Sequence, residues 1–291
     1  MAVAGTWRFT DDRGVTAAGR RPLRVAAYVR AGAALADLGV RPVAVYGSGH
    51  DGAGLDPAKA GGLAAGTAYA GAGPALDERA LRDAAPDLIV DVTYDGERAY
   101  ALPDGVGERL DVPVVALSVA GDRPLDGILE RFAGLAAALG APAPAAGTEL
   151  AAAEEAVRVA AGGAGPLRVL ALSAAGGDRV HLARPATWPD LRRLAGLGVR
   201  LVGPEAGTGI NWATGGWADT VALDADLVLA DCRGSAAQPH DLAGVAGWRS
   251  LAGRAVVEAW NPEIPCSAVA CAEFFVRVAE AVELLGAKRA G

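Results

Sequence analysis

The sequence predicts an α/β protein made of two similar halves, each with a parallel β-sheet at its centre. Three observations carry this. Short β-branched runs alternate with Ala- and Leu-rich amphipathic stretches, four short motifs of the first half return in the same order in the second, and one helical stretch stands between the halves.

Strands are expected over 23–28, 43–46, 88–92 and 113–117, and again over 167–172, 199–202, 227–231 and 254–259. Helices are expected between them, over 31–38, 77–84, 149–161 and 189–196. Strands that alternate with helices form βαβ units, whose strands run parallel. The echoes are specific. Leu23-Arg24-Val25 returns as Leu167-Arg168-Val169, and Leu38-Gly39-Val40-Arg41 as Leu197-Gly198-Val199-Arg200. Asp87-Leu88-Ile89-Val90 returns as Asp226-Leu227-Val228-Leu229, and Val114-Val115-Ala116 as Val256-Val257-Glu258. Between the halves, Leu125, Ile128, Leu129, Phe132, Leu135 and Leu139 recur at helical spacing, and Gly140, Pro142 and Pro144 stop the helix. A helix of about 15 residues spans roughly 22 Å, enough to bridge two lobes. The expected organisation is an N-terminal lobe over 1–122, a linking backbone helix over 123–141 and a C-terminal lobe over 142–291.

Hydrophobic residues make up 52% of the 291 and charged ones 21%, which suits a globular chain with a substantial core. The net charge of −7 and the lack of a Lys/Arg-rich run argue against a nucleic-acid partner. Cys232, Cys266 and Cys271 are odd in number and lack framework or zinc spacing, and His50, His181 and His240 are scattered, so no metal site is expected. The cysteines read as small buried hydrophobes. No stretch reaches the ~18 apolar residues of a transmembrane segment. Residues 1–10 show neither a basic n-region nor an apolar h-region. The chain is therefore expected to be cytoplasmic if Met1 is native, and otherwise the mature part of a longer precursor.

In parallel α/β sheets, ligands sit at the carboxyl ends of the strands. That rule selects Tyr28, Arg30, Ser48, Tyr94 and Ser118 in the first half, and Ser173, Arg233, Trp260 and Asn261 in the second. Arg30 and Arg233 either offer a fork of donors to an anionic chelate or close ordinary ion pairs. Trp212 and Trp217 lie in the Gly-rich stretch GTGINWATGGW, where indoles either cover a flat or bulky ligand or pack on the last helix. Trp7, Trp188 and Trp248 are assigned to packing. The five tyrosines are not expected to cluster, so any metal would arrive inside its ligand. No GxSxG elbow, P-loop or HExxH occurs. Ser48, His50 and Asp51 in GSGHDG are too close in sequence to form a triad, and read as a Gly-rich loop.

Several stretches carry a resemblance. They are Thr6-Trp7-Arg8-Phe9-Thr10-Asp11-Asp12-Arg13-Gly14, then Arg21-Pro22, AALADLGVRPV over 33–43, and Pro86-Asp87-Leu88-Ile89-Val90. Trp248 and Trp260-Asn261-Pro262-Glu263 before the last helix belong with them. Together they resemble the helical-backbone (class III) substrate-binding proteins of ABC importers, which include iron-siderophore, haem and cobalamin binders, and actinobacterial members in particular. The likeness runs over nearly the whole chain. It implies two Rossmann-like lobes with parallel-sheet cores, joined by a single long backbone helix, with a ligand cleft between them. It further implies a monomer that captures a ferric siderophore-like chelate or similar bulky small molecule for an ABC permease. No cofactor is implied beyond iron carried within the ligand, and the implied location is extracytoplasmic. The resemblance adds His181, Trp212 and Trp217 to the cleft-facing residues, the alternative for His181 being an ordinary surface or core histidine. It implies permease-docking acids as well: Asp77 or Glu78 in the first lobe, and Asp219 in the second, where Ala218 stands in place of an expected Glu. With that departure, a second expectation stands beside the first: a signal-less intracellular member recruited as a biosynthetic enzyme or carrier.

Overall fold

A computed structural model describes residues 5–21, 24–142, 147–204 and 210–290. Pro22 of the Arg21-Pro22 pair, Leu23 of the first expected strand, Pro144 of the helix stop and residues 207–209 of the Gly-rich stretch lie outside the described residues. The chain forms two units. The first comprises Met1–Ala145 and Glu263–Ala270, the second Ala146–Pro262 and Cys271–Gly291.

The first unit opens with an antiparallel pair, β1 (Thr6–Thr10) and β2 (Thr16–Arg20). There follow β3 (Val25–Tyr28), α1 (Val29–Asp37), β4 (Ala44–Gly47), α2 (Pro57–Ala60), β5 (Ala68–Ala72), α3 (Glu78–Asp83), β6 (Leu88–Thr93), α4 (Val106–Leu110), β7 (Val114–Ser118) and α5 (Leu125–Ala138). The five central strands pair in parallel in the order β5-β4-β3-β6-β7. β3 and β6 are buried at every position, as strands covered on both faces must be, and they read as largely apolar runs in which Asp91 and Thr93 are the polar members of β6. α1 leaves β3 without a loop. Its Gly32 lets the helix approach the sheet, for a Cβ there would come within 2.9 Å of Val45 Cγ1. α5 sends Ile128, Phe132, Leu135 and Ala136 into the core, and Gly140 ends it at a φ of +94°, where glycine alone is unstrained.

The second unit holds α6 (Gly147–Gly163), β8 (Val169–Ala174), β9 (Val180–Ala183), α7 (Pro189–Gly196), β10 (Leu201–Val202), β11 (Trp212–Gly215), α8 (Trp217–Ala222), β12 (Leu227–Asp231), α9 (Ala246–Ala252), β13 (Val256–Trp260) and most of α10 (Ala268–Ala290). Its sheet runs β11-β9-β8-β12-β13. β10 pairs in parallel with Val169 and Leu170 of β8, whereas β9 pairs antiparallel with Leu172–Ala174. β9 and β11 form an antiparallel pair. The parallel core expected from the sequence is present in β10, β8, β12 and β13, and a short antiparallel ribbon takes over half of a β8 edge.

The echoed motifs are structural joints. The Arg24 N–H donates to the Asp87 carboxylate at 3.0 Å, and its guanidinium to the Ala84 carbonyl. In the second unit the Arg168 N–H donates to Asp226 at 2.8 Å, and its guanidinium to the Leu223 carbonyl. Gly39 and Gly198 both take positive φ, and Val40 and Val199 each donate back to the residue five earlier.

Candidate ligand-binding site

At the strand ends of the first unit, the side chains converge on one buried network. Tyr28 closes β3 and is wholly buried, and its hydroxyl donates to Glu263 Oε2 at 2.9 Å. Arg30, in the first turn of α1, donates from Nε to the Ile264 carbonyl at 3.0 Å and from Nη1 to the Tyr94 hydroxyl at 3.1 Å. Burial works against its charge, but Cys266, Tyr94, Glu263 and Tyr28 hold the guanidinium pKa above its ordinary value. Lys59 of α2 is only 1% exposed, with Nζ 2.6 Å from Asp51 and also paired to Glu263.

Ser48, just past β4, donates from Oγ to Asp51 at 2.8 Å, so the GSGHDG stretch folds into a turn closed on itself. Ser118 ends β7; its N–H donates to Asp12, and its Oγ accepts from Ala120. Tyr94 and Tyr100 stack edge to face with centroids 4.8 Å apart. Tyr100 lies 5.7 Å from Tyr28, and Tyr28 lies 6.4 Å from Tyr46. The expectation that the tyrosines do not cluster is therefore corrected. Parallel strands bring together the ends of β3, β4 and β6, and four of the five tyrosines with them. Burial raises the Tyr94 and Tyr28 phenol pKa values, so both stay protonated donors. Tyr94, Asp95, Arg98, Tyr100, Pro103 and Asp104 border a pocket of about 320 Å³.

In the second unit an aromatic group forms where the antiparallel ribbon meets the strand ends. Trp212 on β11 lies 5.0 Å from Trp188 and 5.8 Å from Trp260, and Trp188 lies 5.4 Å from Trp260. Trp260 is wholly buried and donates from Nε1 to Asp190 at 2.7 Å; Trp188 donates to the Asn211 carbonyl. Trp212 is half-buried and gives the group its open ring. His181 on β9 stands opposite Ser173 and shares a hydrogen bond with Thr214 at 3.0 Å. Asn261 is half-buried beside Trp260.

Two expected contributors sit elsewhere. Trp217 begins α8 and is 8% exposed, packed on Trp248 at 5.9 Å, so it is a core residue rather than part of a loop. Arg233 is committed to Asp231, its own neighbour in the turn, through Nε and Nη2. Trp188, assigned to packing, belongs to the aromatic group. Lys59, Asp51 and Glu263 were not among the expected ligand-binding residues, and of these only Lys59, one of the chain's two lysines, stood out in the sequence.

The expected docking acids are placed as follows. Asp77 caps α3 through Oδ1, Glu78 pairs with Arg109 at 2.6 Å, and Asp219 is exposed in the first turn of α8. The Arg109 guanidinium holds the Glu78 carboxyl below its usual range. Among the described residues no helix is long and apolar enough to cross a membrane.

No family model matches the chain, and no curated protein is similar enough to match. Among solved structures, the chain is similar to DesE, a ferric-siderophore receptor protein from Streptomyces coelicolor. Identity is 30%, over 95% of this chain and 98% of that one, with a TM-score of 0.83. It also resembles the siderophore periplasmic binding protein from the fuscachelin gene cluster of Thermobifida fusca, at 19% identity over 91% and 97% of the two chains and a TM-score of 0.63. A third likeness is to the Fe3+–Desferal-bound siderophore binding protein FhuD from Vibrio cholerae, at 15% identity over 90% and 98%, with a TM-score of 0.62. The last two similarities are of fold alone.

Proposed function

Since the chain belongs to the helical-backbone substrate-binding proteins of the iron-siderophore type, we propose that it captures a ferric siderophore-like chelate for delivery to an ABC permease. The carrying observation is the 30% identity to a ferric-siderophore receptor, sustained over 95% of the chain. The strand-end chemistry supports it. Trp212, backed by Trp188 and Trp260, offers an aromatic wall for a bulky chelate, and Arg30 and Tyr94 supply donors next to a pocket bordered by Tyr100. Ser48 and Ser118 in the first unit, and Ser173, His181 and Asn261 in the second, stand at or near the strand ends of their own units as secondary contacts. Asp219, exposed on α8, is the docking acid of the second unit; Asp77 or Glu78 serves the first after giving up its present partner. The protein works outside the cytoplasm as a monomer. Nothing in the comparisons favours the recruited-enzyme alternative.

The test is a titration of the six-tryptophan chain with a panel of ferric chelates and haem, followed by fluorescence and native mass spectrometry. Saturable quenching with one intact ferric chelate per chain is expected. A panel with no binder, or haem bound in preference to every chelate, would overturn the proposal.

A further inference from the structure

The second unit carries a pocket of about 660 Å³, and none of its lining residues belongs to the strand-end sets described above. It lies on the β8 edge where the ends of β9 and β10 meet. β10 pairs with Val169 and Leu170, β9 pairs with Leu172–Ala174, and a Cβ on Gly203 would come within 2.9 Å of the Ala183 carbonyl oxygen. Arg168, Arg184 and Arg200 line the pocket, and among the described residues no Asp or Glu does. The Leu223 carbonyl accepts from Arg168 Nε at 3.0 Å and from Nη2 at 2.8 Å, so this guanidinium is held in place with its charge unanswered. Arg200 is exposed, and its guanidinium makes no hydrogen bond or ion pair among the described residues. Asp226, which accepts from the Arg168 main-chain N–H, is already paired with Arg289 at 2.5 Å. Glu205 lies outside the described residues; a single carboxylate there would answer one of the three cations and leave two. The rest of the lining is mostly apolar, with Pro185, Leu201, Val202, Ile210 and Leu223. Ile210 is 84% exposed, more than any other exposed large hydrophobic residue among those described.

We propose that this pocket is a second binding site, for an anionic amphiphile: one phosphate or carboxylate group on an apolar body. Arg168 and Arg200 take the anionic group, and the apolar body covers Leu201, Val202 and Ile210. A neutral apolar ligand would strip water from the guanidinium groups and give nothing back. A bare oxyanion would leave Ile210 and its apolar neighbours in water. A ligand with both parts answers both, and the volume falls within the roughly 300–1,000 Å³ of small-molecule sites. The chain's net charge of −7 opposes an anion only at long range. At physiological salt it is screened beyond about 8 Å, whereas the two guanidinium groups act at hydrogen-bond distance. The same headgroup chemistry is offered by a free amphiphile and by an anionic phospholipid. The site stands whether or not the chain captures a ferric chelate.

The experiment is calorimetric titration of the full chain with octyl phosphate, octyl glucoside and inorganic phosphate. Octyl phosphate should bind at least about 10-fold more tightly than either of the others. Arg200→Gln should weaken it by about 10-fold, and Ile210→Ser by several-fold. Both side chains are exposed, so both variants should melt like the wild type; Ile210→Ser carries the test if Arg200→Gln does not fold. Competition by phosphatidylglycerol vesicles, with none by phosphatidylcholine, supports the site with a lipid as its source. Octyl phosphate binding that neither vesicle disturbs supports it with a free amphiphile. Octyl glucoside binding as tightly as octyl phosphate overturns the proposal, because apolar contact alone would then suffice. Inorganic phosphate binding as tightly also overturns it, because the apolar lining would then be idle. So does octyl phosphate binding that both variants leave unchanged, or no binding of octyl phosphate at all.

Discussion

Asp91→Asn should change the pH dependence of folding far more than stability at neutral pH. Asp91 is fully buried in β6. Its carboxylate accepts from the Tyr46 hydroxyl at 2.9 Å and from the N–H groups of Val92 at 2.7 Å, Leu102 at 2.8 Å and Ala101 at 3.2 Å. Burial raises its pKa from 3.8 to about 6, and the four donors offset only part of that. The folded pKa lies above the unfolded one. The group's contribution is therefore fully present below the unfolded pKa, and is lost as pH rises through the folded one. The shift corresponds to about 3 kcal/mol. Asparagine keeps the shape and does not titrate, but either orientation sets its NH2 against a backbone N–H, at a cost of about 1–3 kcal/mol. Relief of the buried charge offsets that cost at neutral pH. Urea unfolding followed by circular dichroism should show nearly equal stabilities at neutral pH. The wild type should then gain about 3 kcal/mol relative to the variant as pH falls from about 7 to about 4. A difference that stays flat with pH, or a variant that gains towards acid, refutes the reasoning. Since Leu102 lines the pocket beside Tyr94 and Tyr100, and Ala101 and Leu102 donate to Asp91, the variant should also exchange those two amides faster.

Lys59→Met should destabilise the chain by about 3–5 kcal/mol in the same unfolding assay, because it strands the buried carboxylates Asp51 and Glu263; adding Glu263→Gln should recover part of the loss. An additive double variant would show that the charges do not act together. Trp212→Ala and Trp217→Ala should separate cleanly. The first should weaken ferric-chelate binding by about 10-fold or more with little effect on melting, since only the open ring of the aromatic group is lost. The second should cost about 3–5 kcal/mol of stability, since it empties the contact with Trp248. Calorimetric melting alongside chelate titration checks both.

The eight expected strands were legible as short runs dominated by β-branched and aliphatic residues; VAAY and LIVDVT, covered on both faces, depart from that only at Tyr28, Asp91 and Thr93. VHLA and WATG, the strands β9 and β11, were not. Each is four residues long and carries a polar side chain, so no alternation outlasts the noise of a short window. The tyrosine cluster was hidden for another reason: Tyr28, Tyr46, Tyr94 and Tyr100 meet only through the strand order β4-β3-β6, which sequence spacing does not encode. Glu263 was hidden further still, because its partners Tyr28 and Lys59 lie more than two hundred residues earlier, and it meets them only where residues 263–270 rejoin the first unit.

What repeats between the halves is scaffold, and what breaks the repeat carries candidate site residues. The Arg24–Asp87 and Arg168–Asp226 joints lie at the amino ends of their strands, where each fixes one βαβ entry against the next by the same two kinds of hydrogen bond. Nothing there faces the carboxyl ends, so the two halves can share it. The first departure is the β9–β11 ribbon, which among the described residues has no counterpart within the first unit's five-stranded sheet and positions His181 and Trp212. The second is the return of residues 263–270, which brings Glu263 to Tyr28 and Lys59 and the Ile264 carbonyl to Arg30. Two units with the same joints thus present different surfaces, one of tyrosine hydroxyls and balanced charge, the other of indoles.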